Sequence, residues 1–206
     1  MGELLQKSAR WAIRIGLITA ILAIILSLTS TTLLGGLSWT GGLLVLLCIV
    51  GIGVGFDMLG IAATAAREQP LHAMAAKKVP GSKEAIGIIR RADQFSNFCN
   101  DVIGDISGVI SGAASFAVVT SLIATFPYWS TNRELIDVLL VSLISALTVG
   151  GKAIGKSISI HYANQIILMA GKFFYFINHK FGFHLFEVKP KKRKRKRGVL
   201  RAPRAD

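Results

Sequence analysis

Two aspartates stand in stretches that otherwise avoid water. Asp57 interrupts residues 43–66, where Thr64 is the only other polar side chain besides Cys48, and Asp105 lies in "NFCNDVIGDISGVISGAAS", which begins at Asn97. A charged group at bilayer depth costs roughly 2.5 to 3.5 kcal/mol even on lenient insertion scales, so each carboxylate needs a partner or a polar cavity. Two chemistries offer one. Hard cations take oxygen ligands, and Mg²⁺ keeps several waters while binding one or two carboxylates. Asp57 and Asp105, with hydroxyls of Thr64, Ser107 or Ser111 and carbonyls freed at glycines, would suit such an ion. The other chemistry is an ion pair with Lys152 or Lys156 that locks helices together. Residue types alone leave both open. Helical spacing puts Asn97, Asp101, Asp105 and Gly108 on one face, and Gly104, Gly108 and Gly112 form a small-xxx-small ridge. Such a face is expected to point into protein rather than lipid.

The elements that must position these groups follow from composition. The chain has 206 residues, 52% of them hydrophobic, and a net charge of +13; its mean hydropathy is +0.55. That is too apolar for an ordinary soluble domain, and basic flanks on membrane helices reconcile the two figures. A bilayer core takes about 20 apolar residues as helix, and residues 12–34, 41–66, 102–126 and 135–154 reach or approach that length. The expected fold is therefore an all-α integral membrane protein with four transmembrane helices. The first stretch is longer than a signal-peptide core and lacks a clear cleavage site, so a retained helix is preferred.

Basic residues set the orientation. Of the 24 lysines and arginines, Lys7, Arg10 and Arg14 precede the first span, six lie between the second and third, and fourteen follow from Lys152 onward. Arg133 alone is left for the other side. Both termini are expected in the cytoplasm of a cell bounded by an inner membrane, with short outer loops at 35–40 and 127–134.

Between the second and third spans, Leu71, Met74 and Ala75 share one helical face, and after Pro80-Gly81 so do Ala85, Ile88, Ile89 and Ala92. These are expected to be two short cytosolic amphipathic helices, lying under the membrane or forming an ordinary hairpin. After the fourth span, Ile166, Ile167, Ala170, Phe173, Phe174 and Ile177 recur at helical spacing. Lys156, His161, Asn164, Gln165 and Lys172 interrupt the run, which favours a juxtamembrane amphipathic helix over a fifth span. The tail "KPKKRKRKR", residues 189–197, has the composition of a nucleic-acid patch. Beside a membrane it has a simpler use, since each basic residue gains about 1 kcal/mol near an anionic leaflet. Anionic lipid headgroups are thus the expected partner, in preference to specific nucleic acid.

Catalytic signatures are missing. His72, His161, His179 and His184 have no metal spacing, Cys48 and Cys99 suggest neither a disulfide framework nor a metal site, and no phosphate loop or nucleophile elbow occurs. An intramembrane aspartyl enzyme would use Asp57 and Asp105 but lacks a flanking motif. The chain is not expected to be an enzyme.

The order of segments resembles the transmembrane domain of the cyclin-M and CorB/CorC magnesium transporters, over about residues 55–181. "FDMLGIAATAAREQPLHAMA" looks like the passage from the first core helix into a basic cytosolic pair, "AIGIIRRADQF" like the run before the second, "VIGDISGVISG" like the family's Ile-Gly-Asn segment with Asp105 at the Asn, and "KAIGKSISIHYANQII" like the bent juxtamembrane helix. The usual acidic residue of the first core helix falls at Gly60, with Asp57 one turn earlier, and the Glu of the juxtamembrane bend falls at Lys152. The resemblance divides the chain into an additional N-terminal helix (1–40), the family-like membrane domain (41–186) and a basic cytosolic tail (187–206), with no nucleotide-sensing CBS modules expected. It implies a homodimer that handles Mg²⁺ or Co²⁺, with Asp57, Thr64, Gly104 and Asp105 on the ion path. A non-transporting scaffold or regulatory subunit with structural Asp–Lys pairs is the competing expectation.

Overall fold

The computed structural model describes residues 2–181, and the tail with its basic run lies outside them. All regular structure among the described residues is helical. The elements are α1 (Gly2–Leu34), α2 (Trp39–Ala65), α3 (Glu68–Ala76), α4 (Ser82–Ile89), α5 (Ala92–Asn97), a π-helical turn (Phe98–Gly104), α6 (Asp105–Thr125), a 3₁₀ turn (Pro127–Asn132), α7 (Arg133–His161) and α8 (Ala163–Phe181). Four helical stretches are long and apolar enough to cross a membrane: Ala12–Leu34, Trp39–Ala65, Ala92–Thr125 and Pro127–His161. Local chemistry ends them where the sequence suggests. Gly35 and Gly36 close α1, and Phe126 is held at φ −126°, ψ 81° by the proline that follows it.

α2 runs through the middle of the bundle, against α6 on one side and α7 on another. Leu46 and Val50 pack on Ala114, Val118 and Ile144 in one buried cluster. The close approach depends on small residues of α2 and α7 rather than on the α6 ridge. A Cβ at Gly53 would come 2.9 Å from Ser107 Cβ, and one at Gly155 would come 2.7 Å from Met58 Cγ. Only the start of the ridge is covered in the single chain: Gly104 is buried, whereas Asp101, Asp105 and Gly108 are exposed, and a Cβ at Gly108 or Gly112 would meet nothing within 4 Å, in a groove beside Val141 and Ser145 of α7. In the single chain the two carboxylates of that face are therefore not packed inward. The π-helical turn offsets the positions that follow it from those before it. Val102, Ile106 and Ile110 become the buried stripe, which Ile15, Leu22 and Ala23 of α1 cover.

A second core closes one end of the bundle. Leu71, Ala85, Ile88 and Ile167, each 0% exposed, pack together with Ala62 and Ala63 from the end of α2 and Ala163 and Ala170 from α8. α3 and α4 are two short helices whose apolar residues are buried in this core. The second ends earlier than its pattern, because the chain breaks at Arg90-Arg91 before α5 resumes and leads into the third span. α4 crosses α8 at Gly81 and Gly171, where backbone touches backbone: a Cβ at Gly171 would overlap Gly81 O and lie 2.9 Å from Ala85 N. Gly81 also has φ +81°, which favours glycine. Glu68 ties α3 to α4, accepting hydrogen bonds at 3.3 Å from Arg90 Nη2 and sharing a 3.0 Å contact with His72 Nε2.

Aromatic rings mark the opposite end. Trp39 and Phe126 meet edge to face at 6.4 Å, with Tyr128 and Trp129 exposed beside them. Such rings favour a membrane–water boundary.

Candidate functional site

The helix register fixes the depth of each polar group. At 1.5 Å rise per residue, Asp57 lies about 27 Å along α2 from Trp39, Asp105 about 30 Å along α6 from Phe126, and Lys152 about 28 Å along α7 from Arg133. Each is therefore about one hydrocarbon thickness, roughly 30 Å, from the aromatic end. The polar groups share a level even though they come from three helices.

Within that level a seam forms between α2, the π-helical turn and α7. Lys152 Nζ lies 3.9 Å from Asp57 Oδ1, with the side chains 28% and 16% exposed. This distance exceeds the 2.7–3.2 Å range of N–H···O hydrogen bonds, so the pair is ionic without a direct hydrogen bond. Asp57 makes no hydrogen bond to the described residues, which leaves both carboxylate oxygens with acceptor capacity. Gly104 forms the floor: a Cβ there would stand 3.6 Å from Lys152 Nζ and 4.0 Å from Asp57 Oδ1. One turn further along α2, Gly60 abuts the side chain of Asn100, and a Cβ at Gly60 would lie 2.7 Å from Asn100 Cγ. Asn100 Nδ2 donates to Ser96 Oγ at 3.2 Å, while its Oδ1 is buried and accepts no hydrogen bond from the described residues. A buried acceptor without a donor costs about 1 to 3 kcal/mol, so a donor or a cation at Asn100 would be stabilised.

Two of the four sequence-derived candidates meet in this seam, Asp57 and Gly104. The other two lie elsewhere. Asp105 is exposed and opens into an apolar groove between α1 and α6, beside Thr19, Ile106 and Val109. Thr64 is exposed near the end of α2 and donates to the Ile61 carbonyl at 2.9 Å. Of the lysines considered as partners, Lys152 reaches a carboxylate and Lys156 points outward. Ser111 donates back to the Gly108 carbonyl at 2.9 Å, which engages its proton within its own helix. Among the described residues no three His, Cys, Asp or Glu side chains gather as a metal cluster, so any cation here would rest on one carboxylate, amide and backbone oxygens, and water.

Asn100 is the functional candidate that sequence reading missed. Its signal was present as Ser96 and Asn100, four residues apart where an apolar segment begins. The π-helical turn over the same residues had no sequence signature, although such turns often mark functional sites.

No family model, curated protein or solved structure matches this chain.

Proposed function

We propose that this chain is a multi-pass inner-membrane protein that handles a divalent cation, Mg²⁺ or Co²⁺, at the seam formed by Asp57, Asn100 and Gly104. The observation that carries the reading is the pair of oxygen ligands that accept no hydrogen bond from the described residues: the Asp57 carboxylate and the buried Asn100 Oδ1. A hydrated Mg²⁺ needs few protein ligands and keeps the rest of its waters. Lys152 serves as the resident counter-charge, neutralising Asp57 when the ion is elsewhere and withdrawing when the ion binds. Thr64 and Asp105 lie outside this set and would act, if on the path, as separate stations. The charge distribution supports placing both termini and the α3, α4 and α8 end in the cytoplasm. The tail at 189–197 then meets anionic headgroups, and the family resemblance supports a homodimer.

A second reading has its own support. The 3.9 Å Asp57–Lys152 pair already balances the charge, as expected of a non-transporting scaffold or regulatory subunit. Mg²⁺ flux into proteoliposomes with an entrapped indicator separates the two. On the transport reading, wild type carries flux, Asp57→Asn abolishes it in a folded protein, and Lys152→Met weakens its dependence on Mg²⁺ concentration. Folded wild type that shows neither flux under opposing Mg²⁺ and Na⁺ gradients nor thermal stabilisation by Mg²⁺ decides for the scaffold.

A further inference from the structure

α8 has three faces, where a helix packed on the side of a soluble domain has two. Ala163, Ile167, Ala170 and Gly171 are buried against α2 and α4. Gln165, Lys172 and His179 make an exposed polar face. Between these lies a third strip, Met169, Phe173 and Phe176, which is apolar and 73%, 62% and 62% exposed, with Tyr162, 49% exposed, just ahead of the helix. These positions fall within one narrow sector at 100° per residue, so the strip is continuous along the helix. No described residue covers it.

We infer that this strip is seated in the lipid leaflet nearest the α3–α4–α8 end, and that acidic phospholipid holds it there. The place of α8 along the chain argues for lipid. α7 is about 43 Å long, close to the 40–45 Å of a bilayer with its headgroups, and only Tyr162 separates it from α8. The start of α8 is thereby set at the headgroup plane. Its lateral arrangement also matches that boundary: one side on protein, one side apolar, one side polar. A second copy of the chain would need to cover the strip while leaving the adjacent Lys172 and His179 in water. Charge selects the lipid class. Lys180 lies 5.8 Å over the Phe176 ring at the end of the strip, Lys156 and Lys172 are exposed nearby, and the chain continues into the basic run at 189–197. Basic residues flanking an apolar strip are the composition of helices that bind acidic membrane surfaces. The inference shares the topology proposed above and is independent of its cation chemistry.

The test uses the full chain in nanodiscs, with Cys48 and Cys99 replaced by Ala and single spin labels at Met169→Cys, Phe173→Cys, Phe176→Cys, Lys172→Cys and the exposed span position Val109→Cys. Labels at 169, 173 and 176 should relax with oxygen in preference to a water-soluble nickel chelate, as at 109, while 172 shows the reverse. Replacing part of the phosphatidylcholine by phosphatidylglycerol should raise the oxygen preference at all three strip positions. Nickel preference at the strip overturns the inference, as does spin–spin broadening that shows a second copy covering it. An oxygen preference unchanged by phosphatidylglycerol overturns the assignment to acidic lipid. Labelling three independent exposed positions guards against one variant that fails to fold, and Mg²⁺ flux has no bearing on any of these outcomes.

Discussion

Asp57 and Lys152 face each other across Gly104, 3.9 Å apart, from the central helix and the last spanning helix of the bundle. Neither group sees full solvent, so removing one leaves the other poorly compensated. Losing one member of a fully buried pair costs about 3 to 5 kcal/mol, and partial exposure should bring the figure nearer 1 to 3 kcal/mol. Asp57→Asn and Lys152→Met should therefore each lower the unfolding temperature in detergent. The double substitution should recover most of the loss, since no lone charge remains. A double-mutant cycle with purely additive effects would show that the two groups do not interact in the folded protein.

Asp105 should behave differently despite its equal depth. It has no ion pair or hydrogen bond among the described residues and opens into the α1–α6 groove. Asp105→Asn removes a charge that no protein group compensates, so stability should stay within about 0.5 kcal/mol of wild type or rise. Mg²⁺-dependent stabilisation, if wild type shows it, should survive Asp105→Asn and be lost in Asp57→Asn. Equal loss in both variants would place the two carboxylates in one site and contradict their separation in the fold.

The glycines divide into those that a methyl group would disturb and those it would not. Gly171→Ala would push a Cβ into the Gly81 carbonyl and Ala85 backbone, which have no rotamer with which to retreat. A cost at or above the usual 1 to 3 kcal/mol of overpacking is expected, with loss of the α4–α8 crossing. Gly60→Ala meets a side chain, Asn100, and should be partly rescued by Asn100→Ala. Gly104→Ala and Gly108→Ala should be nearly neutral, because the nearest atoms to a Cβ at 104 are 3.4 Å away or more and nothing lies within 4 Å at 108. Thermal unfolding of the five variants gives the ranking.

The parts of this fold that were legible in sequence are those set by local composition. Apolar length marked the four spans, and Gly35-Gly36 and Pro127 marked two of their ends. The face of Leu71 and the face of Ala85 and Ile88 could be read from spacing, since each helix buries the side its pattern offers. Two things were not legible. The π-helical turn at Phe98–Gly104 has no local residue signature, and whether Asp101, Asp105 and Gly108 are covered depends on tertiary packing, which leaves them exposed in the single chain. The partner of Asp57 depended on how α7 lies against α2, so both Lys152 and Lys156 were open until tertiary packing selected one. On α8, spacing identified an amphipathic helix but grouped Ile167 with Phe173, which the fold separates onto buried and exposed faces.

The α3–α4 tie gives a pH dependence with a definite sign. Glu68 is held below the ordinary glutamate value of 4.5, first by its hydrogen bond with His72 and then by that with Arg90. A carboxyl whose folded-state value is lowered contributes stability above its unfolded value and loses it as pH falls through the folded one. The contribution is therefore fully present at neutral pH and fades below pH 4.5. Because Glu68 and Arg90 are 36% and 45% exposed, solvent screening keeps the effect small, about 0.2 to 1 kcal/mol as for surface pairs. Glu68→Gln should destabilise by that amount at pH 7 and by progressively less as pH falls through the folded-state value of Glu68. Hydrogen exchange at the α3 amides, followed against pH in both proteins, should show the two curves converging in acid. Curves that stay parallel across the range would mean that the ionised Glu68 adds nothing to the docking of α3 on α4.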